Sequence, residues 1–510
     1  MSTIGVEFGS TRIKSVLIDD ECRTLASGAF SWENQFKDGF WTYSLEEVWG
    51  GLRRSLRDLG DDSKRQNGVG IGQASGLGVS GMMHGYLVFD ADGNQLAPFR
   101  TWRNTTTGQA AGRLSELFGV SIPQRWSVAH LYQAILGGEP HVRRIAYITT
   151  LSGYVHWKLT GQKVLGIGDA SGMFPVSNGD WDQQMVHKFV GLTGINWADI
   201  APKVLSAGEP AGALLRPLDV INAGTPLCPP EGDAGTGMVA TNSLEPATGN
   251  VSAGTSIFLM AVLDKPLTRP YQEIDMVATP TGRPVAMVHC NNGTSEIDAW
   301  VGLFGDVLTS VGVTVDKTSL YDAVYAAALN AEPDGGGLVS FNYAAGEHLT
   351  GFDEGRPLLV RLPDSHLTLG NFMRVQVFAA LATLRFGIDI LTEQEGVKLR
   401  RLLGHGGLFK SPGVGQTLMA SAFGVPVSVM DSAGEGGAWG IAVLAAYSTQ
   451  AAGETLEQYM DRLFAQSAGI TVAPDAATAE GFEVYRRRYK DGLAIERAAV
   501  EHLATFGSIC

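Results

Sequence analysis

The sequence predicts an α/β protein built from two related domains, and three observations carry that reading. Short β-branched runs such as "LGVSG" and "LLGHGG" end in glycine, where a strand hands over to a tight turn. Helical stretches lie between such runs, for example "SLEEVWGGLRRSLRDL" and "MRVQVFAALATLRFGIDIL", the second apolar nearly all round and so expected to be buried. The third observation is an internal repeat. Set over "VSAGTSIFLMAVLD", the stretch "VEFGSTRIKSVLID" aligns Val6 with Val251, Gly9 with Gly254, Ser10 and Thr11 with Thr255 and Ser256, and Asp19 with Asp264, without a gap. Each copy reads as strand, glycine-hydroxyl turn, strand, so each domain should present one such turn.

A chain of 510 residues that is 45% hydrophobic can bury two or three cores. The boundary is expected in "EGDAGTGMVATNSLEPATGN", which gives domains 1–241 and 242–510, the second ending in a charged amphipathic helix, "EVYRRRYKDGLAIERAAVEHL". A formal net charge of -14 argues against nucleic acid or an anionic membrane as partner, since both need a basic footprint. Any phosphate must then be held by backbone amides, a metal or a few cations. Cys22, Cys228, Cys290 and Cys510 form no C-x-x-C pair, which fits neither a disulfide framework nor a zinc site and points to a reducing compartment. No basic region followed by a long apolar run opens the chain, and "WGIAVLAAY" is too short to cross a bilayer, so a cytoplasmic protein is expected. An isologous homodimer is the commonest assembly for a soluble protein of this kind.

A glycine-hydroxyl turn between strands exposes successive N–H groups and short donors, and glycine lets an anion approach the main chain. Gly9, Ser10 and Thr11, and again Gly254, Thr255 and Ser256, are therefore candidate phosphate cradles, with Lys14 as a point charge and Glu7 available to a magnesium shell. An ordinary hairpin with an exposed cation has the same pattern. The Walker pattern is absent. "GLGVSG" matches G-x-G-x-x-G, but here the match reads as the strand itself, so a dinucleotide role is rejected. In "PPEGDAGTG", Asp233 sits between glycines, where a carboxylate can accept the proton of an alcohol attacking a phosphoryl group; a turn aspartate bonding its own backbone is the alternative. Met83 and His84 of "MMHG", and Trp102, Arg103 and Asn104 of "TWRN", offer an aromatic face and polar groups of the kind that hold a sugar, although a histidine after a strand is often structural. In "LLGHGGLFKSP", Gly404, Gly406 and Gly407 would let an adenine or ribose lie against the main chain, and tight strand-to-helix packing would explain them equally.

Taken together and in this order, the motifs resemble those of the FGGY carbohydrate kinases, of the actin and hexokinase superfamily, from end to end of the chain. "GVEFGSTRIK" is similar to the first phosphate motif, "GNVSAGTSIF" to the second, "LLGHGGLFKSP" to the adenosine motif and "EGDAGTG" to the catalytic-aspartate motif. "FNYAAGEHLTGFDEGR" is similar to a following segment that carries Gly346 and Glu347. The resemblance implies two ribonuclease-H-like domains flanking a central cleft, ATP and Mg2+ as cofactors, and Asp233 as the base. It further implies Met83, His84 and Trp102 on the sugar, and metal contacts from Glu7 and Asp233. "GMMHG" and "TWRN" look most like xylulokinases, which implies a pentulose such as D-xylulose as acceptor; another ketose, a polyol or a non-catalytic sensor are the alternatives. Three positions depart from the pattern: Glu7 stands where the family usually has aspartate, and Ala234 and Asn104 stand where xylulokinases tend to have asparagine and aspartate.

Overall fold

The computed structural model describes residues 2–68, 71, 73–411, 413–430, 436–451, 453–465 and 469–504. The chain forms two compact units. The first comprises Met1–Leu244, Asp264–Val285 and Glu435–Ser467, and the second Glu245–Leu263, Ala286–Gly434 and Ala468–Cys510.

In the first unit, β1 (Thr3–Phe8) pairs antiparallel with β2 (Arg12–Ile18), which pairs antiparallel with β3 (Thr24–Ser31). On its other side β1 pairs in parallel with β4 (Gly76–Gly81), and β4 with the short β5 (Glu231–Gly232), giving the order β3-β2-β1-β4-β5. The "GLGVSG" match is thus the strand β4 itself. Helix α1 (Leu45–Asn67) starts on Ser44, whose hydroxyl accepts from the Glu47 N–H, and stops at Gly68 with φ +70°. It lies close on β3: a β-carbon on Gly28 would be 2.1 Å from the Ser55 carbonyl oxygen. Asp233 opens α2 (Asp233–Ala240) directly from β5.

In the second unit β6 (Thr248–Ala253) and β7 (Ile257–Val262) form the matching antiparallel hairpin. Strand β8 (Pro284–Cys290) lies beyond β7, and β9 (Arg401–Gly406), parallel to β6, is followed by β10 (Val427–Val429), parallel to β9. The order β8-β7-β6-β9-β10 repeats that of the first unit. Helix α3 (Ser295–Ser310) follows β8, and α4 (Leu369–Asp389) runs through the core. Among the described residues, Leu369–Gln394 is the stretch long and apolar enough to cross a membrane, and most of it is buried inside the protein.

Helix α5 (Gly437–Gln450) belongs to the first unit although it is encoded some two hundred residues after α2. It carries "WGIAVLAAY", and its run Gly437–Ala446 is wholly buried. Glycines let it sit almost on the sheet: β-carbons on Gly5 and Gly78 would stand 2.0 Å from Ala438 O and 2.5 Å from Ile441 O, and one on Gly440 would stand 2.1 Å from Thr236 O. The final helix, α6 (Ala476–His502), is charged outside and buries Phe482, Tyr485 and Tyr489 completely in the second unit.

Candidate active site

Glu7 lies near the end of β1, directly opposite Lys14 on β2 and Ser80 on β4, so the three side chains share one face of the sheet. The turn that follows is closed by Gly9 N–H donating to Arg12 O at 3.0 Å. Its carbonyls are all taken: Trp32 Nε1 donates to Gly9 O at 2.8 Å, the Tyr43 hydroxyl to Ser10 O at 2.5 Å, and Trp32 N to Thr11 O at 3.1 Å. Trp32 and Tyr43 stack with centroids 4.2 Å apart, which fixes both donors. In a trans peptide the N–H points opposite to the C=O. With these carbonyls anchored, the N–H groups of Ser10 and Thr11 face the other way, as an anion cradle requires.

The turn of the second unit is anchored by different means. Thr294 N and Oγ1 donate to Gly254 O at 2.8 and 3.0 Å, and Gly293 N donates to Thr255 O at 2.8 Å, which turns the Thr255 and Ser256 N–H groups away. The hairpin is also tighter: Phe8 pairs with Ile13 in the first unit, Ala253 with Ile257 in the second. The repeated sequence has identical spacing, but the second turn is one residue shorter. Ser252 therefore faces Phe258, and the acid–lysine pair exists in the first unit alone.

Asp233 is held at the head of α2. Its Oδ1 accepts from Ala234 N at 2.9 Å and Met83 N at 3.3 Å, and its other oxygen bonds no other residue among those described. Burial pushes its carboxyl up to about 6 against these backbone donors. Burial, then the Asp233 charge, pushes Glu7 up to about 7 in spite of Lys14 and the Ala438 N–H. Behind them lie two acids that sequence reasoning missed. Asp169 Oδ2 accepts from Thr150 Oγ1 at 2.7 Å and Ser152 Oγ at 2.5 Å. Glu231 accepts the N–H groups of Gly168, Asp169 and Gly232 at 3.1, 2.9 and 3.2 Å. Both are buried; burial, with the Asp233 charge and against the Ser152 and Thr150 hydroxyls, raises Asp169 to about 7, and burial with the Asp169 charge raises Glu231 to about 8. Glu231 stands in the quoted "EGDAGTG", and its signal was an acid two residues before Asp233 in an otherwise apolar, glycine-rich stretch.

His84 has φ +68°, and its Nδ1 lies 2.9 Å from Gly172 O, so the ring is locked against a glycine that has no room for a β-carbon. Met83 is buried and supplies the Asp233 contact. Trp102 is 37% exposed, and the Arg103 guanidinium lies over the Trp41 ring at 4.1 Å. Asn104 is buried and fully engaged: Nδ2 donates to Trp41 O and Thr101 O, each at 2.9 Å, and Oδ1 accepts from Trp41 N at 2.8 Å. An aspartate could not make the two donations. The amide at this position thus shares the main chain of Trp41 with Thr101, whose N and Oγ1 donate to Trp41 O at 3.1 and 3.2 Å.

In the second unit, Gly404 packs beneath the Phe409 ring, and Gly406 has φ +99° with Ala253 O 2.5 Å from where its β-carbon would be. Gly407 is open, its nearest neighbour 3.8 Å away. Two of the three glycines therefore have structural reasons and one leaves main chain accessible. Pro412, which ends the quoted motif, lies outside the described residues.

Residues 2–239 match the FGGY family of carbohydrate kinases, N-terminal domain, and residues 249–449 match the C-terminal domain of the same family. The chain belongs to the FGGY carbohydrate kinases. The xylulose kinase of Haemophilus influenzae is 22% identical over 424 residues, 79% of this chain and 82% of that one. A xylulose kinase structure from Lactobacillus acidophilus superposes with TM-score 0.80 at 17% identity over the full length of both chains. A gluconate kinase from the same organism gives 0.81 at 17% identity, covering 100% of this chain and 99% of its own. The FGGY fold is the two-domain, actin- and hexokinase-like one, and this protein is a xylulokinase-like sugar kinase of an ATP-dependent family, with a sugar and ATP as its small-molecule partners.

Proposed function

We propose that this FGGY kinase transfers the γ-phosphoryl group of ATP to a hydroxyl of a pentulose such as D-xylulose, in the cytoplasm, with Asp233 as general base. The observation that carries the reading is the orientation of Asp233. Two backbone N–H groups fix one carboxylate oxygen, and the segment that supplies one of them, Met83–His84, is part of the acceptor motif. The other oxygen is left to aim an acceptor hydroxyl and take its proton as the phosphoryl group transfers. Met83, His84, Trp102 and Arg103 line the acceptor side, with Asn104 acting through Trp41. The turns at Gly9–Thr11 and Gly254–Ser256 hold phosphate, Lys14 adds a positive charge, and Gly404, Gly406 and Gly407 carry the nucleoside, Gly407 by direct approach.

The residues also suit magnesium. Glu7 and Asp233 are near enough for the charge of one to raise the pKa of the other, and no group of three or more metal-ligating side chains exists among the described residues. One or two carboxylates with water and substrate phosphates is the usual magnesium shell. Glu7 and Asp233 would hold the ion, which when bound would neutralise charge on the transferring phosphates.

The test is ADP release by purified protein with Mg-ATP against a panel of ketoses, polyols and sugar acids, D-xylulose first, with Asp233→Ala as control. Turnover that depends on D-xylulose and is lost in the variant supports the reading. Turnover with another acceptor alone would replace the substrate, and ATP binding without any acceptor-dependent turnover would favour a sensor. The second reading, an acceptor other than D-xylulose, rests on Ala234, whose methyl group offers no hydrogen bond beside the base.

A further inference from the structure

We infer that Glu347 is a positioning residue for the second phosphate turn, acting through Asn292. The inference rests on the reading that the Gly254–Ser256 turn holds nucleotide phosphate.

The route is continuous in the structure. Glu347 is completely buried, and its Oε2 accepts from both the backbone N–H and the Nδ2 of Asn292, at 3.3 and 3.1 Å. The side-chain Oδ1 of Asn292 in turn accepts from Ala345 N at 3.0 Å, and Asn342 Nδ2 donates to the Asn292 and Gly293 carbonyls at 3.1 and 3.0 Å. Asn292 is thereby held at its side chain and at both ends of its backbone unit. The next two residues are the ones that grip the turn: Gly293 takes Thr255 O and Thr294 takes Gly254 O. Fixing Asn292 fixes the direction of those donors, and hence the outward direction of the Thr255 and Ser256 N–H groups.

The surroundings are built for this arrangement. Glu347 exchanges two backbone hydrogen bonds with Phe352, at 2.7 and 3.0 Å, which sets where its side chain starts. Gly346 and Gly293 have no space for a β-carbon, with Asp353 O at 2.2 Å from the first and Gly254 O at 2.3 Å from the second. A carboxylate buried at this depth is costly unless its donors are in place; Asn292 supplies two to Oε2, while Oε1 has no hydrogen-bond partner among the described residues and lies 3.6 Å from His348 Nδ1. Burial raises the Glu347 carboxyl to about 7, and its first opposing influence is Asn292. The residue touches neither the turn nor any reacting atom, so its effect should fall on nucleotide affinity.

The experiment compares full-length wild type, Glu347→Leu and Glu347→Gln in three measurements: ADP affinity by titration calorimetry, acceptor KM, and kcat at saturating Mg-ATP. Leu leaves the Asn292 donors without an acceptor, and Gln keeps one acceptor oxygen that can receive both of them. The expected result is ADP binding weakened about tenfold in Glu347→Leu, the loss expected of two spoiled hydrogen bonds, with acceptor KM unchanged and partial recovery in Glu347→Gln. ADP affinity within twofold of wild type in a folded Glu347→Leu protein would overturn the inference. Should that variant not fold, Asn292→Ala carries the same test: weakened ADP binding with unchanged acceptor KM supports the route, and unchanged ADP affinity removes it. Wild type that binds no ADP at all would instead refute the nucleotide reading, so the two failures are told apart.

Discussion

A β-carbon on Gly437 would stand 2.4 Å from Glu7 Oε1 and 2.7 Å from Thr236 Oγ1, so the glutamate occupies the space that any other residue at the head of α5 would claim. The longer acid and the missing side chain fit each other, and the Ala438 N–H that meets the Glu7 carboxylate comes from the same helix start. Gly437→Ala should keep the fold, because alanine favours a helix, yet displace the carboxylate by about an ångström and cost up to about a hundredfold in kcat/KM. Adding Glu7→Asp, which shortens the acid, should restore part of that loss. Full activity in Gly437→Ala would show that the fit of the two residues is incidental.

Acid pH should inhibit the enzyme from a higher value than a free aspartate would suggest. As the proposed base, Asp233 must be deprotonated, and burial pushes its carboxyl up to about 6. In the free enzyme kcat/KM should therefore fall as pH drops through about 6, and Glu7, near 7, should broaden that limb upward. A pH profile of kcat/KM flat down to pH 5 would exclude Asp233 as the titrating base.

The same shift has the opposite sign for stability. A carboxyl whose pKa is raised in the folded state stabilises the fold fully below its unfolded pKa, 3.8 for aspartate, and that contribution is lost as pH rises to about 6. Above pH 7, Asp233→Asn should thus be more stable than wild type, by about 1 kcal/mol, while nearly inactive. Urea melts at pH 5 and pH 8 would check this, the difference between variant and wild type being larger at pH 8.

Glu231 should prove structural for the loop around Asp233 rather than chemical. Removing it by Glu231→Ala leaves the N–H groups of Gly168, Asp169 and Gly232 buried without an acceptor, at a cost of about 3 kcal/mol or more. Glu231→Gln, which preserves one acceptor oxygen, should cost less and keep measurable kcat. Chemical denaturation of both variants distinguishes them, and equal stability of the two would contradict the hydrogen-bond account.

Asn104→Asp introduces the residue that the xylulokinase resemblance implies at this position but removes both donations to the carbonyls of Trp41 and Thr101. The substitution should destabilise the protein by about 2 kcal/mol and raise the acceptor KM through Trp41 and the Arg103 stacked on it. A lower acceptor KM would mean that residue 104 meets the sugar directly.

The fold was legible because its signals are local. Glycine after a β-branched run marked the strand ends, the repeat announced two hairpins, and the apolar character of "MRVQVFAALATLRFGIDIL" gave a core helix. Placement of α5 was not legible: a buried helix is apolar wherever it packs, and nothing in "WGIAVLAAY" points to strands more than three hundred residues upstream. At the site, residue types that advertise chemistry stood out, as Asp233 and Lys14 did. Supporting groups did not, since Trp32 and Tyr43 act through the backbone of a turn distant in sequence, and Asp169 gains its meaning from burial alone. The one-residue difference between the two turns was hidden because spacing in sequence does not report where a ladder closes.

The placement of α5 bears on how the protein is made. The first unit has its strands β1 to β5 available once about 240 residues have been synthesised, yet the helix that covers Gly5 and Gly78 emerges only after about 450. Until then the part of that face around Gly5 and Gly78 is uncovered, and a nascent chain stalled before residue 437 would expose apolar surface that a chaperone could recognise. A fragment ending near residue 244 should accordingly aggregate when expressed alone, and supplying 435–467 as a separate peptide should improve its solubility.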